Sequence, residues 1–130
     1  MVEQKPKVVN FHESEWEFVF PPSIDNEETY NFYYEGVELL DYNDVEAEQI
    51  FKKIIKKHPY HIDAYNHLSI AFKNQKKSFE SFLTAEKSYL IGKSCLPKEF
   101  KQSKHKLRWS NLDNRPFLRS CHILGMEHQD

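Results

Sequence analysis

Seven histidines and two cysteines are the side chains of this sequence with the widest chemical reach, so their spacing is the first question. His58, His61 and His67 come nearest to a ligand set, at spacings of three and six. A zinc site needs donors that converge from one helix face or from adjoining loops. Pro59 cuts His58 off from the helix that carries the other two, and His61 and His67 fall on different faces of it. The sequence has no HExxH and no paired cysteines. These histidines read as solvated or capping side chains, and neither a metal nor another cofactor is expected. Cys95 and Cys121 stand in no ligand spacing and read as reduced thiols. His122 adjoins Cys121, but neighbours on a helix point about 100° apart, so the pair is not a nucleophile with its base. Neither GxGxxG, a Walker sequence nor GxSxG occurs. Glu27 and Glu28 stand where a helix start would favour negative charge. The expectation is a protein that is not an enzyme.

Two charged patterns remain. Arg115, Arg119, His122 and Met126 follow one another at spacings of four, three and four, close to a single helical stripe. They can face a ligand, or Arg115 and Arg119 can pair with the acidic N-terminal helix of the same fold. The segment 93–108 is basic and is accompanied by Phe100 and Trp109, the pairing that non-specific RNA or acidic-lipid binding would use. The chain as a whole carries a net charge of −2, so a solvated connector is the preferred reading and nucleic acid is not the expected partner.

The elements that must position these residues are mostly helical. Residues 27–41 carry Phe32, Gly36, Leu39 and Leu40 at helical spacing. Asn43 or Asp44 caps the next helix, with Glu46 three residues after Asn43 as in a capping box. Ala47, Ile50, Phe51, Ile54 and Ile55 then form an apolar stripe opposite Lys52, Lys53, Lys56 and Lys57, and Pro59 ends it. Ile62 to Lys73 reads as a third helix and Ser78 to Ile91 as a fourth, with Gly92 as its stop. A short helix is possible after Pro97. Asn114 and Pro116 mark the start of a last helix carrying Phe117, Leu118, Cys121 and Leu124. Residues 1–10 read as a loose polar end. Trp16, Phe18 and Phe20 alternate with a period of two before Pro21-Pro22, as an extended arm docking its aromatics on the helices.

Composition agrees with a globular chain: 130 residues, 39% hydrophobic and 29% charged, with three glycines, too few for a Gly-rich barrel. The aromatic content of 15% supplies bulk for helical interfaces. No apolar run is long enough for a transmembrane helix or a signal peptide, so a cytoplasmic address is expected by default. The charge is unevenly spread. Residues 1–50 hold 13 acidic and 2 basic side chains, and the rest of the chain is basic, an arrangement that draws two halves, or two copies, together.

A spacing recurs. Ala47, Phe51 and Pro59 have the same offsets as Ala85, Tyr89 and Pro97, 38 residues later. Phe32, Gly36 and Leu39 are echoed by Tyr65, Ser69 and Phe72, and Leu124-Gly125 starts a third copy. Small residues let helix axes approach while aromatics fill the groove beside them. The pattern resembles the tetratricopeptide repeat, at 38 residues rather than the usual 34. The connector and last helix are also similar to a junction in bacterial repeat proteins of unassigned function. The resemblance implies an all-α fold of antiparallel helix pairs in a right-handed solenoid fragment with a short extended N-terminal arm. Its divisions would be an arm over 1–26, two helix pairs over 27–92, a basic connector over 93–113, and the first helix of an incomplete third repeat over 114–130. Two and a half copies imply a truncated array or one completed by another chain.

In such arrays the first helix of each pair lines a concave groove. By position the groove would present Tyr30, Tyr33 and Val37, then Asp63, Asn66, Ile70 and Lys73, then Arg119, His122 and Met126. The function this implies is a scaffold binding a protein or peptide, with an acidic segment or carboxylate end held by the cations. The alternatives are a nucleic-acid or anionic-surface binder using 93–109, and an assembly or regulatory subunit that self-associates through its open last helix.

Overall fold

Apolar stripes and caps lay down five α-helices among the described residues, which in the computed structural model are 3–125. Helix α1 (Glu27–Leu39) starts at Asn26, whose Oδ1 accepts from the Thr29 N–H at 2.8 Å. Helix α2 (Asp44–Lys57) starts at Asn43, whose Oδ1 accepts from Glu46 N at 3.1 Å. Helix α3 (Ile62–Asn74) is capped by His61, its Nδ1 accepting from Ala64 N at 3.1 Å. Helix α4 (Ser78–Cys95) and helix α5 (Arg115–Ile123) complete the set. Links of three or four residues join α1 to α4 in sequence, and successive helices pack on each other, so neighbours run antiparallel.

The chain is not all-α. Helix, with one 3₁₀ turn included, makes up 57% of the described residues, and strand 11%. Strands β1 (Lys7–His12) and β2 (Glu15–Val19) form an antiparallel hairpin, with Val8 opposite Phe18 and Asn10 opposite Trp16. Strand β3 (Lys106–Leu107) pairs in parallel with β2, giving the order β1-β2-β3. Trp16 and Phe18 are buried, and a buried extended segment needs partners for its backbone N–H and C=O groups. The supposed loose end supplies one partner strand and the basic segment supplies the other. A single arm with no sheet was therefore the wrong expectation.

Gly92 does not stop α4. It lies inside the helix, where a Cβ would stand 2.1 Å from Cδ1 of the Phe117 ring. Its missing side chain lets α5 close on α4. Gly36 does the same for α1 on α2, since a Cβ there would be 2.7 Å from Phe51 Cε1. Residues 98–105 form turns rather than a helix.

Helix α3 lies between two cores. Ala64, Leu68, Ala71 and Phe72 pack with Phe51 and Ile54 of α2. Ile62 and Tyr65 pack instead with the sheet residues Trp16 and Phe18 and with Phe117 of α5. Asn114 locks the second core. Its Oδ1 accepts from Phe18 N at 2.8 Å, and its Nδ2 donates to Trp16 O at 3.1 Å and to Arg108 O at 3.3 Å. It was expected to cap α5 with its side chain and makes no such bond there.

Candidate functional site

The N-terminal turn of α3 and the face of α5 meet around one buried carboxylate. Asp63 accepts from Arg119 twice, Oδ1 from Nε at 2.9 Å and Oδ2 from Nη2 at 2.6 Å, a two-point fork. Asn66 Nδ2 donates to the same Oδ1 at 3.0 Å. Burial pushes the Asp63 carboxyl up, but the Arg119 bond, the nearby His67 and the Asn66 amide outweigh it and hold it below its usual value. That Arg119 bond also raises the guanidinium's own pKa. Beside the pair, the Tyr33 hydroxyl lies 3.3 Å from His67 Nδ1. Burial first, then the charge of Asp63, push the Tyr33 phenol above its ordinary value, so it stays neutral.

These groups form one wall of an open cleft of about 420 Å³. Across it stand Tyr30, Tyr34 and Val37 of α1, with Ile24 and Asp25 from the loop before α1 and Leu112, Asp113 and Arg115 from the entrance to α5. The rings of Tyr30 and Tyr34 stack one turn apart, 5.9 Å between centroids and 22° between planes, and both are exposed. Arg115 is anchored from behind: its Nε donates to Trp109 O at 2.8 Å and its guanidinium lies 4.8 Å above the Trp109 ring. Both arginines are thus held in place, Arg115 through Nε and Arg119 through Nε and Nη2, which leaves both Nη groups of Arg115 and Nη1 of Arg119 without a protein acceptor among the described residues. The volume falls in the range of small-ligand and peptide side-chain pockets.

Of the ten residues mapped to a groove, Tyr30, Tyr33, Val37, Asp63 and Arg119 line this cleft. Ile70, Lys73 and His122 line a second groove, of about 500 Å³, between α3, α4 and the end of α5. Asn66 faces neither. It is 0% exposed, its Nδ2 also donates to Pro116 O at 2.8 Å, and its Oδ1 accepts from Ser88 at 2.6 Å and Ser120 at 3.0 Å. It knits α3, α4 and α5 together and offers no ligand contact. Met126 lies outside the described residues. Arg119 pairs with α3, not with the acidic first helix as the alternative had it.

Sequence reading missed Tyr34, Asp25, Leu112 and Asp113 as cleft residues, and it placed Arg115 on a ligand-facing stripe without mapping it to the groove. Tyr34 carried a signal, four residues after Tyr30 on the same face. Asp25 comes from the loop before α1, and Leu112 and Asp113 from the 3₁₀ turn that leads into α5, segments whose approach no local pattern announces. His58 and His61 serve structure: His58 Nδ1 meets Glu3 Oε2 at 2.5 Å, and both of those side chains are buried. His61 caps α3, and burial lowers its pKa to about 4. The thiols of Cys95 and Cys121 are buried and pushed up to about 11 by desolvation. In the basic segment Phe100 packs edge-on against Trp16 at 5.6 Å, and Arg108 pairs with Glu15 at 3.1 Å, so that ring is not free to stack on a base. No helix among the described residues is long and apolar enough to cross a membrane.

Fold and cleft together describe a helix-rich chain with a small mixed sheet and a ligand-sized aromatic opening between its first and last helices. Comparison with protein-family models, with curated proteins and with solved structures finds no match.

Proposed function

We propose that this chain is a non-catalytic binding module that takes up an extended segment of a partner protein in the Tyr30–Tyr34–Arg115–Arg119 cleft. The observation that carries this reading is the preparation of the two guanidinium groups. Each is fixed by bonds to its own fold, each lines the cleft, and each keeps Nη donors without a protein acceptor among the described residues, both groups in Arg115 and Nη1 in Arg119. A fixed Arg loses little rotamer freedom when it meets a carboxylate, which favours binding. The two stacked tyrosines opposite offer a flat apolar surface for an aromatic or aliphatic side chain. Asp25 and Asp113 supply acceptors for the N–H groups of an extended backbone. The recognised feature is then a carboxylate next to a bulky apolar residue. The 38-residue recurrence supports a tetratricopeptide-like origin for the helix pairs within the same proposal.

Selection from a random peptide display library tests it. Enriched sequences share an Asp or Glu, or a free C-terminus, beside an aromatic or aliphatic residue. Arg115→Glu and Tyr30→Ala/Tyr34→Ala abolish that enrichment while the far-ultraviolet spectrum is unchanged. Enrichment of no common sequence, or of one that persists in both variants, removes the proposal.

A further inference from the structure

Helix α4 is apolar on the side it buries and on the side it leaves open. Ala85, Ile91 and Cys95 face the core. Phe79, Phe82, Leu83 and Leu90 are 70%, 55%, 45% and 54% exposed. They lie three, four and eleven residues along from Phe79, a single stripe. A run of large side chains on one exposed helix face marks an interaction surface.

The charges on that face indicate what covers it. Glu80 and Lys87 stand seven residues apart on one flank of the stripe, both exposed, and neither forms an ion pair within the described residues. Seven residues is too far for the two to meet along one helix. A two-fold axis perpendicular to α4, at the level of Thr84 and Ala85, changes this. It lays a second α4 antiparallel on the first and brings each flank against its own copy. Glu80 then faces Lys87 of the second copy, and Lys87 faces Glu80 of it. In the same register Phe79 meets Leu90 of the second copy, and Phe82 meets Tyr89. A self-complementary patch is what an isologous dimer requires.

We infer that the exposed face of α4 is the contact between two copies of this chain, paired antiparallel through Phe79, Leu83 and Leu90 with Glu80 and Lys87 on the flank. One element opposes the pairing. Glu86 lies near the axis, where the two copies bring their carboxylates close together, and this holds the affinity down. Lys76 falls opposite Lys93 of the second copy at the helix ends, where long stems turn their charges to water. None of these residues lines the tyrosine cleft, so the dimer and the cleft stand or fall separately.

Sedimentation velocity over a concentration series tests the inference. The native chain shifts from 15.6 kDa toward twice that mass as concentration rises. Phe79→Glu stays at the single-chain mass. Glu80→Lys and Lys87→Glu each weaken the dimer by about tenfold, because two attractive pairs become repulsive. The double variant Glu80→Lys/Lys87→Glu returns to within about threefold of native, and Glu86→Leu binds more tightly than native. All of these side chains are exposed, and an unchanged far-ultraviolet spectrum establishes that the variants fold. A native chain that remains at 15.6 kDa throughout, a dimer indifferent to Phe79→Glu, or a double variant as weak as the singles overturns it. Peptide selection on the Phe79→Glu chain reports on the cleft independently.

Discussion

His61 should make this protein acid-sensitive well above the range where carboxylates titrate. Its ring is buried, accepts from Ala64 N as the cap of α3, and lies 5.3 Å from the Tyr33 ring, tilted by 34°. An imidazole that accepts a hydrogen bond in a buried site resists protonation, and burial brings its pKa from 6.5 down to about 4. The unfolded chain takes up the proton at the higher value. Between the two values the unfolded state therefore binds more protons than the native one, and stability falls as pH falls. The loss begins near the unfolded value and is complete below the folded one. Each unit of difference is worth about 1.4 kcal/mol, so moving from neutral to about pH 4.5 costs about 2.5 kcal/mol. Urea unfolding at both pH values measures this in the native chain and in His61→Asn, which keeps a cap acceptor and does not titrate. The variant is less stable at neutral pH through lost packing, but it should lose about 2 kcal/mol less on acidification. Equal acid losses in the two chains would show that the imidazole does not resist protonation in the fold.

Three further outcomes follow from the same geometry. Asp63→Asn leaves Arg119 without its fork. A broken buried pair costs about 3–5 kcal/mol, but Arg119 is 35% exposed, which reduces the expected loss to about 2 kcal/mol by urea unfolding. The native Asp63 contribution is present above the ordinary carboxylate value and disappears as pH falls through the lowered native one, so the penalty should vanish in strong acid. Asn114→Leu removes the partners of Phe18 N and Trp16 O, and should cost about 3 kcal/mol with a changed near-ultraviolet signal from Trp16. A loss under about 1 kcal/mol would mean that the clamp is idle. Gly92→Ala forces a methyl against the Phe117 ring and should cost about 2 kcal/mol in thermal unfolding, with Gly36→Ala close behind because the Phe51 ring edge is nearly as tight.

Those positions also explain which parts of the structure the sequence revealed. Helices α2 and α3 were legible because their stripes, the Asn43 cap and Pro59 are local signals, all written within a few residues. The sheet was not. Strand β1 buries Val8 alone among its six residues, and β3 is two residues long, so neither shows the alternation that identifies a strand. What makes them strands is β2, whose backbone must be satisfied by segments more than ninety residues apart in the chain. Gly92 misled for a related reason. A glycine near the end of an apolar helix has two uses, a left-handed stop or a close crossing, and only the position of Phe117 decides between them. In the site, Tyr30, Tyr33 and Val37 could be grouped from one helical repeat. Asn66 could not be told from a ligand residue, because its partners Ser88, Ser120 and Pro116 come from other elements.

The unforeseen sheet bears directly on the cleft. Asn114 is hydrogen-bonded to Phe18 N and Trp16 O along one edge of β2, and α5 begins at the next residue, so the hairpin sets where α5 starts. One turn further on, Asn66 takes the carbonyl of Pro116 and Asp63 takes Arg119, which fixes the rotation of α5 against α3. Arg115 and Arg119 line the same cleft as Tyr30 and Tyr34 because these two constraints agree. A lesion in β2 far from the cleft, such as Phe18→Ala, removes a side chain that packs 5.4 Å from the Phe117 ring and loosens the first constraint while leaving the second intact. Peptide affinity should then fall along with stability, whereas a cavity of similar size at Ile54, in the other core, should lower stability alone. That contrast separates a cleft built by the sheet from one that belongs to the helices by themselves.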